Sequence, residues 1–465
     1  MTITNFGGNV RFTPQHVYAP TTEAEVLAIL DVHANGHVRV GGALHSWNPG
    51  IASDDAFIDL RHFDTVTVER TPDGAAWATV GGGCRIKHVL RKLHALGDFT
   101  LPTVGVITEQ SIAGAISTAT HGSGRHSLSH YMAEVRVAAY DPDTGKARVF
   151  AWTDGPELRA ARCALGCAGV VLSVKFRCIS KYDVEERAEA CDGLDDVLKG
   201  EEAFPLQQFY MMPHSETYVV HRRKLRPPGP RSWGATLYRA WWYFCIDIGL
   251  HLVLKSLIAV NGARAIRFFY RQMLPRLIVK NRTVVDRGER VLVMENELFR
   301  HLEIELFVPA RHLREAADYV RLVVDVFAGT RDVPPDFPAP LRDELLANRG
   351  SFTFHYPITF RRVLVDEALI ATSAGETHYA ISFVTLAEPR DAFFALGRFL
   401  AVSMAHLFAA RPHWGKWFPL EAAAVERLYP ALPEFRETCC RTDPRGVFRG
   451  GFAGRVLFGD GGASG

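Results

Sequence analysis

No matched pair of Cys-x-x-Cys motifs occurs in the sequence. The eight cysteines, Cys84, Cys163, Cys167, Cys178, Cys191, Cys245, Cys439 and Cys440, are scattered along the chain. That removes the spacing of a structural zinc site and leaves reduced, buried thiols and no bound metal as the expectation. Neither sign of charge is in surplus. Lys+Arg number 53 against 51 Asp+Glu, a formal charge of +2, so no basic field calls for a nucleic-acid partner. No Gly-Lys-Ser/Thr closes a phosphate loop, and no Gly-x-Gly-x-x-Gly opens a helix after the first strand, so neither a P-loop nor the common dinucleotide fold is indicated. No internal repeat is present. The opening residues MTITNFGGNV lack the charged and apolar regions of a signal peptide, so a cytoplasmic address is expected.

A clean membrane-spanning run is absent too. The most apolar segment, Trp241 to Val260, contains Asp247, His251 and Lys255. A charge near the bilayer centre costs roughly 2.5–3.5 kcal/mol, so spanning is not expected. A basic stretch follows, with Arg264, Arg267, Arg271, Arg276, Lys280 and Arg282. Residues 241–282 therefore have two readings: an apolar and a basic helix resting on an anionic membrane surface, or a buried helix beside a solvated basic face.

What is present divides the 465 residues into three parts. Residues 1–180 alternate β-rich runs (VRVGG, AFIDL, WATVGGG), glycine turns and two helical patterns, TTEAEVLAILDVHANG and RIKHVLRKLHALG. Residues 181–410 carry the apolar–basic insertion (about 235–282), then the alternating runs HLEIELFVPA, FTFHYPITFRRVLV and HYAISFVTL of an antiparallel sheet, then the helical DAFFALGRFLAVSMAHLFAA. Residues 411–465 are turn-rich.

The stretch VRVGGALHSWNPG, Val38 to Gly50, sets a histidine directly after a strand and a glycine turn. SIAGAISTATHGSG, Ser111 to Gly124, leaves a long span almost without side-chain bulk. Backbone so bare can approach a ligand closely and offer N–H groups to phosphate, or can serve tight strand packing. Together with LGCAGVV (Leu165–Val171) and RPHWGK (Arg411–Lys416), these stretches resemble, in order and spacing, the vanillyl-alcohol oxidase/para-cresol methylhydroxylase-type flavoproteins. The C-terminal motif resembles their aldonolactone and alditol oxidase branch; residues 190–290 match least.

That resemblance implies an α+β fold: a two-subdomain FAD-binding domain of the para-cresol methylhydroxylase type over 1–180, an antiparallel-sheet substrate (cap) domain with helices over 181–410, and a segment over 411–465 returning to the flavin site. It implies FAD held by Gly41, Gly42, Ala43, Leu44, His45 and Ser46, by Ser111, Gly114, Ser117, Thr118, His121 and Gly122, and by Gly166, Gly169 and Val171. His45 matches the histidine bonded covalently to the flavin, but Leu44 stands where many relatives have glycine, which leaves FAD held only non-covalently as the alternative. Gly105 occupies the position that controls oxygen access, and glycine is the oxidase choice there.

Oxidation of a carbinol requires a group to take the hydroxyl proton and positive charge where the reduced flavin becomes anionic. By resemblance Lys416, flanked by His413, and Arg361, with Asp366 in register, supply the active-site groups. A surface lysine and paired surface arginines Arg361–Arg362 are the alternatives. Thr359 and Ser382 replace a glutamate and a histidine of alditol oxidases, which argues against an ordinary polyol substrate. Glu303 and Glu305 alternate with apolar residues and so share one strand face, as a replacement acid or base or as a solvated edge. The aromatics Trp241, Trp242, Tyr243, Phe244, Phe268 and Phe269 favour a substrate less polar than a free sugar.

The expected activity is an FAD-dependent oxidase acting on a sugar lactone, polyol or hydroxylated natural product, with O2 reoxidation to H2O2. A quinone- or cytochrome-linked dehydrogenase and a non-catalytic flavin-binding scaffold are the alternatives.

Overall fold

The computed structural model describes residues 1–259, 262–274, 281–294, 300–386 and 390–459; Val260, Arg276 and Lys280 lie outside them. After a short antiparallel pair, Ile3–Thr4 with Arg11–Phe12, come β1 (His16–Tyr18), α1 (Glu23–Val32), β2 (Val38–Gly41) and β3 (Ala56–Asp59), and the three strands form a parallel sheet in the order β1-β3-β2. Thr22 caps α1 by accepting from Glu25 N, while Glu25 reaches back to Thr21 N at 2.6 Å, the reciprocal exchange that fixes a helix start.

A five-stranded antiparallel sheet follows, from β4 (Val66–Arg70), β5 (Ala76–Gly81), β6 (Met132–Tyr140), β7 (Ala147–Trp152) and β8 (Val170–Arg177), ordered β7-β6-β8-β5-β4. Between β5 and β6 run α2 (Ile86–Leu96), closed at Gly97, and the short α3 (Ile112–Ser117), capped by Ser111. These two sheets match the alternation seen in the sequence.

The third sheet has eight antiparallel strands. They are β9 (Asp183–Cys191), β10 (Gln208–Met211), β11 (Tyr218–Arg226), β12 (Thr283–Arg287), β13 (His301–Pro309), β14 (Ile358–Val363), β15 (His378–Leu386) and β16 (Arg411–Pro412), ordered β12-β9-β11-β10-β14-β15-β13-β16. The long α4 (Ala235–Ala259) leaves this sheet between β11 and β12. Helices α5 (Leu313–Phe327) and α6 (Asp391–Phe408) cover one face of β13, burying Ile304 and Leu306. A strand's period of two therefore turns Glu303 and Glu305 to the opposite face.

Two expectations change. FTFHYP does not extend β14, which begins only at Ile358; Pro357 has no N–H for a ladder bond. All eight cysteines are unbridged, but not all are buried: Cys245 is exposed and Cys440 half-buried.

The C-terminal segment returns to the first lobe. Val38 N donates to Val447 O at 3.0 Å. The buried Arg39 guanidinium donates to Gly50 O, Phe448 O and Leu165 O at 2.6, 2.7 and 2.6 Å. One side chain thus braces β2, the loop before β8 and the end of the chain.

Candidate active site

Two cavities meet at Gln110, which lines both. The first is a cleft between the end of β2 with the turn Gly42–Ser46, the segment Ser111–Thr118, and the loop Leu165–Val171. Its walls are mostly backbone. A Cβ on Gly42 would fall 1.9 Å from Ser111 Oγ, and one on Gly82 would fall 2.2 Å from Val171 O, so side chains are excluded by space alone. Gly166 and Gly169 take φ of +80° and +120°, angles that favour glycine. Arg39 lines the cleft, and no carboxylate does so among the described residues. A narrow, bare-backbone slot with one arginine and no acid fits the pyrophosphate and flat rings of FAD.

All the residues expected from the first turn, from Ser111 to Thr118 and from Gly166 to Val171 line this cleft. His121 and Gly122 do not. Ala119 turns the chain at φ +55°, so His121 faces the second cavity while Gly122 lies against Thr103 and Val104. Arg39, Asn48, Gln110 and Gly415 were missed as cleft residues.

The turn carrying His45 is held from both sides. The His45 ring stacks on Phe6 with centroids 4.9 Å apart, and Phe6 N donates to Leu44 O at 2.9 Å. Leu44 itself has φ +58°. The leucine where relatives carry glycine therefore keeps the left-handed turn, at a cost of roughly 1–2 kcal/mol for an L-residue. Ser46 Oγ and Trp47 N donate to Gly415 O at 3.3 and 3.0 Å, and Asn48 Nδ2 donates to Trp414 O. These bonds tie the histidine turn to the loop His413–Lys416.

The second cavity measures about 1170 Å³. Its floor is the face of the eight-stranded sheet opposite α5 and α6. Register sets Glu305 opposite Ser382, and Ser382 opposite Thr359. On the floor Glu303 binds the Lys416 ammonium and accepts from Ser382 Oγ. Glu305 lies 3.4 Å from His121 Nε2 and 3.3 Å from Arg361 Nη1. Arg361 Nε also donates to Gln208 Oε1 at 3.4 Å. Lys416 Nζ sits 4.4 Å from the centre of the Trp47 ring.

Glu303 and Glu305 are buried, so neither the solvated-edge reading nor that of a surface Lys416 describes this site. Arg361 faces the cavity, while Arg362 pairs with Glu201 at 3.5 Å. Asp366 lies apart, accepting from Ser127 Oγ and Ala368 N. Gly105 lines the cavity, where a Cβ would come 2.8 Å from Thr120 Cγ2.

Burial alone would raise both carboxyls. The Lys416 ammonium outweighs it at Glu303, and the facing His121 with its hydrogen bond does so at Glu305, so both are held below the usual range. Burial pushes His413 down to about 3. Gly415 N donates to His413 Nδ1 at 2.8 Å, which puts the neutral ring's proton on Nε2. His121, Glu305 and His413 lie close enough together to resemble a metal site. With that tautomer, however, His413 Nε2 is a donor, not a ligand.

Gln208, Tyr210, His221 and Arg223 also line the floor and were not found from sequence. They come from alternate positions of β10 and β11, a period-two signal within the segment least like the family.

The family described as D-arabinono-1,4-lactone oxidase matches residues 172–456, and an FAD binding domain matches residues 14–147. A long-chain alcohol oxidase from an uncultured marine euryarchaeote is 42% identical, over 98% of this chain and 97% of its own. The L-gulono-1,4-lactone dehydrogenase of Mycobacterium tuberculosis is 26% identical, over 97% and 98%. Among solved structures, cholesterol oxidase from B. sterolicum superposes with a TM-score of 0.76 at 13% identity, covering 98% of this chain and 96% of that one, a likeness of fold. The chain belongs to the D-arabinono-1,4-lactone oxidase family. It is an FAD-linked oxidoreductase acting on CH–OH groups, with the α+β, para-cresol methylhydroxylase-type fold.

Two outcomes are expected from this geometry. Leu44→Val should lower the Tm, because a β-branched residue at positive φ costs about 1–3 kcal/mol, whereas Leu44→Gly should leave it nearly unchanged, the relieved strain being offset by glycine's greater freedom in the unfolded chain; equal Tm values for the two variants would contradict the strained turn. His413 (about 3), His355 (about 4) and His378 (about 4) are all lowered by burial. An unfolded histidine titrates at about 6.5, so the unfolded chain binds more protons below that value. Stability should therefore fall as pH drops from about 6.5 toward 4. Thermal unfolding across that range checks this, and a flat profile would contradict it.

Proposed function

We propose that the protein is an oxidase that converts the CH–OH group of a predominantly apolar alcohol to a carbonyl and passes two electrons to O2, giving H2O2, with FAD bonded covalently through His45. One observation carries the reading. The buried Glu303–Lys416 and Glu305–His121–Arg361 groups gather on the floor of the cavity that adjoins the cleft, while Met212, Val219, Leu250, Leu274 and Val384 line the same cavity. A sugar lactone or polyol would leave those walls without apolar contact, and the Ser382 hydroxyl is already engaged by Glu303. The name of the relative at 42% identity, long-chain alcohol oxidase, supports the same substrate class.

Bound FAD supplies a hydride acceptor and the route of electrons to O2. The chain's own groups handle the proton and the charge. The alcohol's O–H becomes strongly acidic as its carbon loses hydride, so a carboxylate held ionised suffices as acceptor. Glu305 takes that part. On β13 it would stand in for the glutamate that alditol oxidases carry where this chain has Thr359, and it contacts Arg361 at 3.3 Å. Arg361 and the His413 Nε2–H orient the alcohol oxygen by donating to it. Lys416, held by Glu303 and the Trp47 face, keeps positive charge beside the His45 turn. Gly105 lines the cavity, and glycine there is, by the family resemblance, the oxidase choice for oxygen access, which favours the oxidase over a quinone- or cytochrome-linked dehydrogenase. The unbridged cysteines suit a reducing cytoplasm as its location.

Two variants test the assignments. Glu305→Gln should slow single-turnover flavin reduction by about a hundredfold or more with FAD content unchanged; an unaltered rate removes Glu305 as the proton acceptor. His45→Ala should release all flavin on acid precipitation, whereas the parent protein keeps its yellow colour in the pellet. Acid-stable flavin in the variant would contradict the linkage.

A further inference from the structure

Helix α4 packs on the sheet along one stripe only. Tyr238, Leu250 and Leu254 are buried, and His251 Nδ1 bonds Tyr356 OH at 2.8 Å. The other side carries Leu237, Phe244 and Leu252, at 71%, 63% and 55% exposure. The helix is wound as a π-helix from Trp242 to Leu250, and all three side chains stand on its solvent side. Trp233 just before α4 is 95% exposed, and Phe268, in the helix Ala263–Phe268, is 59% exposed. Large apolar side chains grouped in this way mark a surface that meets something apolar.

Charge identifies what that is. From Arg231 to Leu274 the sequence carries six lysines and arginines against one acid, Asp247, and of the six Arg239 turns inward to Glu186. Lys255 and Arg264 are exposed among the apolar residues. The same helix opens onto the large cavity, which Trp242, Tyr243 and Leu250 line. Arg231, Arg287 and Arg290 both line that cavity and reach solvent, so they mark its mouth. An apolar face rimmed by cations fits an anionic bilayer, whose acyl region takes the Phe and Leu side chains while its headgroups meet Arg and Lys. Because one stripe of α4 is fixed to the sheet, docking there would lay the helix in the plane of the interface.

We infer that this face docks on an anionic membrane and that the cavity mouth opens toward the lipid, so that an apolar alcohol enters from the bilayer. Docking stands on the surface alone; the entry of substrate rests on the oxidase reading.

Flotation with phosphatidylcholine vesicles, with and without phosphatidylglycerol, tests it on the whole flavoprotein. The expected result is binding to the anionic vesicles that weakens with salt. Leu237→Ser/Phe244→Ser/Leu252→Ser should abolish it. Lys255→Gln/Arg264→Gln should weaken it about tenfold or more, at roughly fivefold per charge. Both variants should oxidise a short, water-soluble alcohol at the parent rate but oxidise a vesicle-borne long-chain alcohol at least about tenfold more slowly. A parent protein that ignores both kinds of vesicle overturns the docking. So does a dimer in gel filtration that the serine variant dissociates, because a second copy then covers the face. Vesicle binding as expected, with no alcohol oxidised, keeps the docking and sinks the oxidase reading instead.

Discussion

Two carboxylates in one strand, Glu303 and Glu305, are buried side by side on the floor of a large cavity. Unpaired, each would carry a desolvation penalty of several kcal/mol. The fold answers with partners drawn from distant parts of the chain: Lys416 from the C-terminal loop, His121 from the flavin-binding lobe, and Arg361 and Ser382 from neighbouring strands. The pairing therefore fastens the three parts of the molecule at one point. It also fixes the protonation state of that point, with both carboxyls ionised and His413 neutral with its proton on Nε2. Removing one partner would leave a buried charge uncompensated.

Around that point, chemistry and recognition are separated by side-chain type. The cleft is bare backbone with Arg39 as its cation, suited to a phosphorylated cofactor and little else. The cavity next to it is charged at the floor and apolar along Met212, Val219, Leu250 and Leu274. In the function proposed, the hydroxyl of an apolar alcohol would meet the charged groups while its chain meets hydrocarbon, so that one site could hold the molecule and still manage a proton.

How much of this was legible in the sequence depends on the kind of signal. The cleft was largely readable, because close backbone approach demands small residues in runs and those runs stand out. The Glu303/Glu305 face was readable from strand alternation, but its burial was not, since alternation cannot tell a solvated edge from a polar floor beneath a cap. Their partners lie from 56 positions away, as with Arg361 and Glu305, to 184, as with His121 and Glu305, separations that no local pattern encodes. His121 lines the second cavity and not the cleft, and the positive φ at Ala119 that turns the chain before it has no glycine to announce it. Leu44 shows the reverse: the expected glycine is missing, yet the turn it would have served is kept.

In the function proposed, the buried carboxylate–cation floor takes the proton of an apolar alcohol while bound FAD takes its hydride. This function is tested most directly by mixing the purified flavoprotein anaerobically with a long-chain primary alcohol and following the flavin absorbance, then admitting air. The account predicts rapid bleaching by the long-chain alcohol, slower bleaching by an alditol or aldonolactone, and recovery of the colour on aeration with one H2O2 formed per flavin. Bleaching by the sugar substrates in preference to the long-chain alcohol would contradict it, as would a bleached flavin that air does not restore.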